Sequence, residues 1–352
     1  MIKILHSADW HLGSPMVQFS PEQAQLLRKW QERIPELLAT ACREETCDLV
    51  LLSGDLFDSG YTKNTVSRVK AALEEMAVPV FISPGNHDYV ETNSPWQEVW
   101  PENVHIFTRP VLTAYPLPEL DCCVYGAGYV GMDCPGVLDD FVPDHTQRYA
   151  VGVLHGDPTQ RSSPYCPVTE QQVAASGLDY LALGHIHKAG SFKKGKTLCS
   201  WPGCPMGRGY DEQGEKGYFI VTVDGEVHSR FVALDAPRFY DLSLSADAPL
   251  SSVLPAVGNE DFYRITLTGP AEKPDLSALL AEYAAFPNLQ LRDHTVPPVD
   301  IFGNAGEDTF EGMYFRLLQE KLWQADEKDR KRILLAAQLS RQLLDGQEVE
   351  LP

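Results

Sequence analysis

Residues 78–88 read Val-Pro-Val-Phe-Ile-Ser-Pro-Gly-Asn-His-Asp. The run 78–83 is short, apolar and bounded by Pro and Gly, which predicts a buried strand rather than a helix. The polar cluster after it is harder to explain as a folding requirement. Asn86, His87 and Asp88 come directly after Gly85, and all three carry groups able to bind a metal or move a proton. A plain polar turn is the alternative.

The same arrangement recurs along the chain. Residues 3–6 form a β-type run that leads to Asp9-Trp10-His11, and 49–53 lead to Gly54-Asp55-Leu56-Phe57-Asp58. Residues 149–154 end on His155, and 180–183 lead to Gly184-His185-Ile186-His187. Taken singly, Asp9 and His11 read as a surface loop, Asp55 as an ordinary turn and His155 as a core histidine. The His-x-His pair is a stronger metal signal, because alternation puts His185 and His187 on one side of an extended segment. A further short run lies at 122–125. Helical patterns lie between some of these runs, at 21–45 with an interruption at Pro35 and at 64–76. Alternation of this kind predicts an α/β layered domain. Open α/β sheets bind ligands outside the carboxyl ends of their strands. If the strands are neighbours, Asp9, His11, Asp55, Asn86, His87, His155, His185 and His187 converge. Mixed nitrogen and oxygen donors suit manganese, iron or zinc, and such a set fits two cations about 3.5–4 Å apart.

Composition narrows the partners. The chain has 352 residues with a formal net charge of −20, which argues against a broad basic nucleic-acid surface. A nuclease remains compatible, since two bound cations supply local positive charge and their carboxylates raise the acidic count. No apolar run is long enough to span a membrane. The N-terminus enters a β-type run without a secretory pattern, so a cytoplasmic protein is expected. The eight cysteines lack metal-site spacing and read as reduced, buried small hydrophobes.

After residue 184 the pattern changes to hairpins, one at 191–200 turning at Lys194-Gly195 and one at 217–234 turning at Asp224-Gly225. Lys193, Lys194 and Lys196 fall on the first tip, with Arg208 further on. They read as a solvated turn, or else as phosphate contacts. Three parts are expected: 1–235 with the motifs, a small α+β part at 236–305, and a helical segment at 306–352. In the last part, Phe310, Met313, Tyr314, Leu317 and Leu318 recur at helical spacing.

The order Asp-x-His, Gly-Asp-x-x-Asp, Gly-Asn-His-Asp, His, Gly-His-x-His resembles the calcineurin-like metallophosphoesterase superfamily. Finer details resemble its DNA-repair nuclease branch, of SbcD and YhaO type. These are Leu5-His6-Ser7-Ala8-Asp9-Trp10-His11-Leu12-Gly13, Gly54 to Asp58, Trp201-Pro202-Gly203-Cys204-Pro205 and Gly214-Glu215-Lys216-Gly217-Tyr218. The likeness covers roughly residues 1–235.

That resemblance implies two packed mixed β-sheets flanked by helices. It implies one metal held by Asp9, His11, Asp55 and His187, and a second held by Asp55, Asn86, His155 and His185, with Asp55 bridging. The implied metal is manganese, with iron or zinc as alternatives. It makes His87 the proton-handling or phosphate-stabilising residue and pairs Asp58 with it. A water between two cations has a depressed pKa, so hydroxide can attack phosphorus near neutral pH. The implied function is a DNA phosphodiesterase, exonuclease or single-strand endonuclease, working in repair. The implied partners are an SbcC-like coiled-coil ATPase docking on the helices from 307 onward and a second copy of the chain. The rival readings are a phosphatase or small-molecule phosphodiesterase, and a scaffold subunit without catalysis.

Overall fold

The structure, a computed structural model, describes residues 1–144, 146–298 and 300–346. The chain first lays down four strands, β1 (Ile2–Ser7), β2 (Leu49–Leu52), β3 (Val80–Ile82) and β4 (Val104–Ile106). It then builds β5 (Thr113–Leu117), β6 (Cys122–Gly126), β7 (Tyr149–His155), β8 (Tyr180–Gly184), β9 (Lys188–Lys194) and β10 (Thr197–Gly203). It returns with β11 (Gly217–Asp224) and β12 (Glu226–Ala233), and ends its strands with β13 (Phe239–Ser245), β14 (Phe262–Pro270) and β15 (Leu289–Val296).

Among the described residues, these make two six-stranded sheets and one three-stranded sheet. The orders are β12-β11-β1-β2-β3-β4, β5-β6-β7-β8-β10-β9 and β13-β14-β15. Strands β1 to β4 are mutually parallel, as are β6, β7, β8 and β10, while β11, β12, β5 and β9 pair antiparallel. The parallel strands are buried on both faces, which is why Leu49–Leu52 and Tyr149–His155 read as unbroken apolar runs.

Alternation along the strands sorts the core into layers. Ile4, Leu49, Leu51 and Phe81 meet Val124, Val151, Val153 and Ala182 between the two large sheets. Leu5, Val50, Leu52 and Ile82 point the other way, onto Leu27, Leu38, Val69 and Leu73. Those four come from helices α1 (Pro21–Gln31), α2 (Ile34–Glu44) and α3 (Lys63–Glu75). On the outer face of the second sheet, Leu154, Leu181 and Leu183 cluster with Val173 of α4 (Glu170–Ala175). The fold is therefore the expected α/β sandwich of two mixed sheets flanked by helices.

Local chemistry sets several boundaries. Ser20 and Gln23 form a capping box that starts α1. The helical pattern at 21–45 breaks between Gln31 and Ile34, and Pro35 lies in the first turn of α2, where its missing N–H costs nothing. Pro35 thus helps begin a helix rather than interrupt one. The expected hairpins form, with Lys194 paired to Thr197 and Asp224 paired to Glu226. All eight cysteines are free and buried, and no helix among the described residues is long and apolar enough to cross a membrane.

Contacts divide the chain into two units. The first is Met1–Leu242 with Val257–Ile265 and Tyr283–Gln290; the second is Ser243–Ala256, Thr266–Glu282 and the chain from Leu291 onward. This differs from an expected break at residue 235. Phe239 and Phe262, fully buried and stacked 4.7 Å apart, join the cluster that holds Trp10 and Leu27. In the second unit lie α5 (Leu276–Glu282), α6 (Phe310–Gln324) and α7 (Glu327–Leu344), with Phe315 and Ala337 in a cluster of their own.

Candidate metal centre

The site is built on the carboxyl ends of β1, β2, β3, β7 and β8, and its backbone is unusual. Asp9, His11, Asp55 and His185 all have positive φ, at 54°, 47°, 51° and 88°. Non-glycine residues rarely adopt such angles, and they persist only where surroundings enforce them. The enforcement is visible. The loops after β1 and β2 are laced together by Asp9 N–H to Gly54 O (3.0 Å), His11 N–H to Asp55 O (2.9 Å) and Leu12 N–H to Leu56 O (2.9 Å). Gly85 must be glycine on grounds of space, because a Cβ there would fall onto the Asp55 carboxylate.

Asp88 holds the loops from below. Its Oδ2 accepts from Leu56 N–H (2.7 Å) and Phe57 N–H (3.2 Å), and its Oδ1 accepts from Gly85 N–H (2.7 Å). Burial, reinforced by Asp55, pushes the Asp88 carboxyl up to about 7.

The side chains gather around two aspartates. Asp55 Oδ2 stands 3.7 Å from His11 Nε2 and 3.4 Å from His155 Nε2. Its other oxygen, Oδ1, accepts from His87 N–H at 2.9 Å. Asp9 oxygens accept from His185 N–H at 3.0 and 3.2 Å. Asp9, His11 and His187 bring donor atoms within 4.8 Å of one another, and so do Asp9, Asp55 and His155. His155 Nε2 lies 3.0 Å from Asn86 Oδ1, while its Nδ1 faces Ser53 O at 2.9 Å. The His185 ring lies 5.3 Å from the His155 ring and 4.7 Å from that of Tyr165. His87 is exposed, with its ring 4.8 Å from that of His11.

Whether this donor set fits cations is decided by His11 and His187. Their Nε2 atoms face each other at 3.1 Å. One proton can be shared there, and a divalent cation can take its place. His187 Nδ1 lies 2.6 Å from Glu212 Oε1, a carboxylate that only accepts. His11 Nδ1 is buried without a hydrogen-bond partner and looks towards Asp58 Oδ2 at 3.6 Å. Two Nε2 atoms facing one another beside Asp9 and Asp55 suit a divalent cation of the imidazole-and-carboxylate class.

The electrostatics agree. Burial works to raise the Asp55 carboxyl, but His155, His11 and His87 outweigh it and hold it low. Burial works to lower His155, but Asp55 and Asp9 reverse that. His11 is lowered by burial, which its contact with Asp58 only partly offsets.

Three findings depart from or extend the sequence reading. Asp58 faces His11, and no hydrogen bond to His87 forms among the described residues. One ligand atom each of His11, Asp58 and His87 nonetheless lies within 4.8 Å of the others. Lys194 and Lys196 are tied to Glu170 (2.7 Å) and Asp179 (2.9 Å), as a solvated turn would have them. Glu212 is a site residue that the motifs do not contain. It sits in an irregular loop after β10 with no periodic signal, and only the nearby Gly214-Glu215-Lys216 stretch marks the region.

Comparison with known proteins gives a family match, a sequence relative and several similar structures. The family model for calcineurin-like phosphoesterases matches residues 2–189. The uncharacterized metallophosphoesterase YhaO of Bacillus subtilis (strain 168) is 30% identical over 253 residues, which cover 65% of this chain. The chain spans 60% of that relative's length. Among solved structures, a dimetal phosphatase from Danio rerio matches at 12% identity and TM-score 0.41, over 65% of this chain and 98% of that one. A novel archaeal phosphodiesterase matches at 14% identity and TM-score 0.39, over 66% of this chain and 100% of that one.

Proposed function

The chain belongs to the calcineurin-like phosphoesterase family, and from that premise we propose that it is a two-metal phosphodiesterase acting on DNA. The observation that carries the metal-dependent reading is the position of Asp55 Oδ2 between His11 Nε2 and His155 Nε2, at 3.7 and 3.4 Å. A carboxylate oxygen so placed suits a ligand shared by two cations. In this reading Asp9, His11, Asp55 and His187 hold one cation, and Asp55, Asn86, His155 and His185 hold the other. Bound there, divalent cations supply a nucleophile from water near neutral pH and neutralise charge on phosphate oxygens.

The chain's own residues then divide the remaining work. Asp9 and Asp55 are fixed by backbone N–H groups of His185 and His87, so their orientation is set before substrate arrives. His87 is exposed at the mouth of the site and presents its ring to the substrate side, where it can stabilise the phosphate or protonate the leaving oxygen.

DNA as substrate rests on the motif resemblance to the SbcD-type branch, with manganese as the metal. The net charge of −20 confines nucleic-acid contact to the metal site or to surface added by a partner. An SbcC-like coiled-coil ATPase and a second copy of the chain are the partners proposed. Incubation with Mn2+ and end-labelled single- and double-stranded DNA tests the reading. Cleavage is expected. Intact DNA together with turnover of a small phosphodiester or monoester would overturn the DNA assignment and leave a small-molecule phosphoesterase.

A further inference from the structure

Behind the two histidines of one cluster lies an ion-paired group that none of the ligand motifs contains. Glu212 is 8% exposed. Its Oε1 is 2.6 Å from His187 Nδ1 and 2.8 Å from Arg208 Nη2. Its Oε2 accepts from the Arg208 backbone N–H at 2.7 Å. The same guanidinium reaches the other way, with Nη1 3.8 Å from Asp58 Oδ2, the oxygen that faces His11 Nδ1. Lys216 Nζ donates to His187 O at 3.0 Å, which fixes the backbone that carries the ring.

We infer that Glu212, Arg208 and Asp58 form one clamp that sets the tautomer and orientation of His187 and keeps a carboxylate facing His11 Nδ1. Glu212 and Arg208 act as positioning residues for metal binding. The inference rests on the metal reading of the site.

The chemistry runs through the imidazole protons. A carboxylate at 2.6 Å from His187 Nδ1 requires a proton on that nitrogen, so a cation that displaces the other proton finds Nε2 as its ligand atom. The competing arrangement has Arg208 donate to Nδ1 across 3.0 Å. That would place the proton on Nε2, against His11 Nε2, and would waste the nearer carboxylate. Arg208 is better used in holding Glu212 through two contacts and in keeping a second carboxylate, Asp58, near His11. Partners of this kind behind metal-binding histidines raise ligand basicity and fix ring orientation. A purely architectural role explains the group poorly. Desolvating an Arg–Glu pair costs about as much as the pair returns, and apolar residues of equal volume would fill the space as well.

The test uses the full chain, stripped of metal and titrated with Mn2+ alone in a calorimeter. The wild-type chain should bind two equivalents. Glu212→Ala should weaken one equivalent by about 10–100-fold and leave the other unchanged. Glu212→Gln preserves shape and an acceptor oxygen, so it should weaken the same equivalent by less. It also decides the matter should the alanine variant fail to fold. Two unchanged equivalents in both variants would overturn the clamp. So would equal weakening of both equivalents, which is the mark of a structural role. A wild-type chain that takes up no Mn2+ would overturn the metal reading itself, and this inference with it.

Discussion

Asp58 Oδ2 lies 3.6 Å from His11 Nδ1, and among the described residues Asp58 makes no hydrogen bond to the His87 ring. The contact with His11 holds the Asp58 carboxyl well below its ordinary value, against burial. Asp58 should therefore act through the His11 side of the site. Asp58→Asn is expected to raise the Mn2+ concentration needed for half-maximal activity by about 10-fold. Saturating Mn2+ should then restore turnover to near wild type. A turnover loss that Mn2+ cannot cure would return Asp58 to a role through His87.

His87 should behave differently. Its backbone N–H steadies Asp55 whatever the side chain, and its ring is exposed. His87→Ala should retain two metal equivalents by elemental analysis while turnover falls about 10²–10⁴-fold, the scale of a lost acid–base group. Near-full activity, or loss of metal, would contradict the role.

The strand-end placement of the site was legible because each motif is local. An apolar run followed by Gly and a polar pair marks both the strand and the residues beyond it, as at Val80–Ile82 and Gly85 to Asp88. Two kinds of information were not local. The left-handed backbone at Asp9, His11 and Asp55 is carried by residues with no glycine signature of their own. Glu212 reaches His187 from 25 positions away through a loop without periodicity. Phe239 and Phe262 read as the start of a separate part, since nothing in their neighbourhood reveals that they pack with Trp10 and Leu27.

Gly85 offers a steric test of the same geometry. A methyl group there meets the Asp55 carboxylate and backbone N at distances no Cβ tolerates. Gly85→Ala should cost about 1–3 kcal/mol of stability, the usual range for overpacking. It should also lower bound metal, since Asp55 is the group displaced. Thermal unfolding and elemental analysis check both, and a fully metallated, undestabilised variant would refute the crowding.

In the second unit, α6 has two faces. Tyr314 and Leu318 pack beside Phe315, whereas Phe310, Met313 and Leu317 are 83%, 54% and 52% exposed at helical spacing. An exposed apolar stripe of this kind suits a partner helix. Removing the chain from residue 307 onward should abolish co-purification with a coiled-coil ATPase subunit and spare Mn2+ binding. Retained co-purification would move the docking site elsewhere.

The His187–Glu212 pair gives the metal-stripped protein a defined pH response. Burial opposes charge on both groups, yet each prevails through the other. Glu212 is held below the ordinary carboxylate range by His187 and Arg208, and His187 is held above the ordinary histidine range by Glu212 and Asp9, with Arg208 opposing. A lowered carboxylate contributes stability that is present above its unfolded value and lost as pH falls through the folded one. A raised histidine contributes stability that is full below its unfolded value and lost as pH rises through the folded one. The melting-temperature difference between wild type and Glu212→Gln should therefore peak between about pH 5 and 6.5 and shrink on either side. Mn2+ competes with the proton at His187, so wild-type affinity for the metal should fall as pH drops across the same range. A melting difference that stays flat from about pH 4 to about pH 8 would show that the pair does not titrate as a unit.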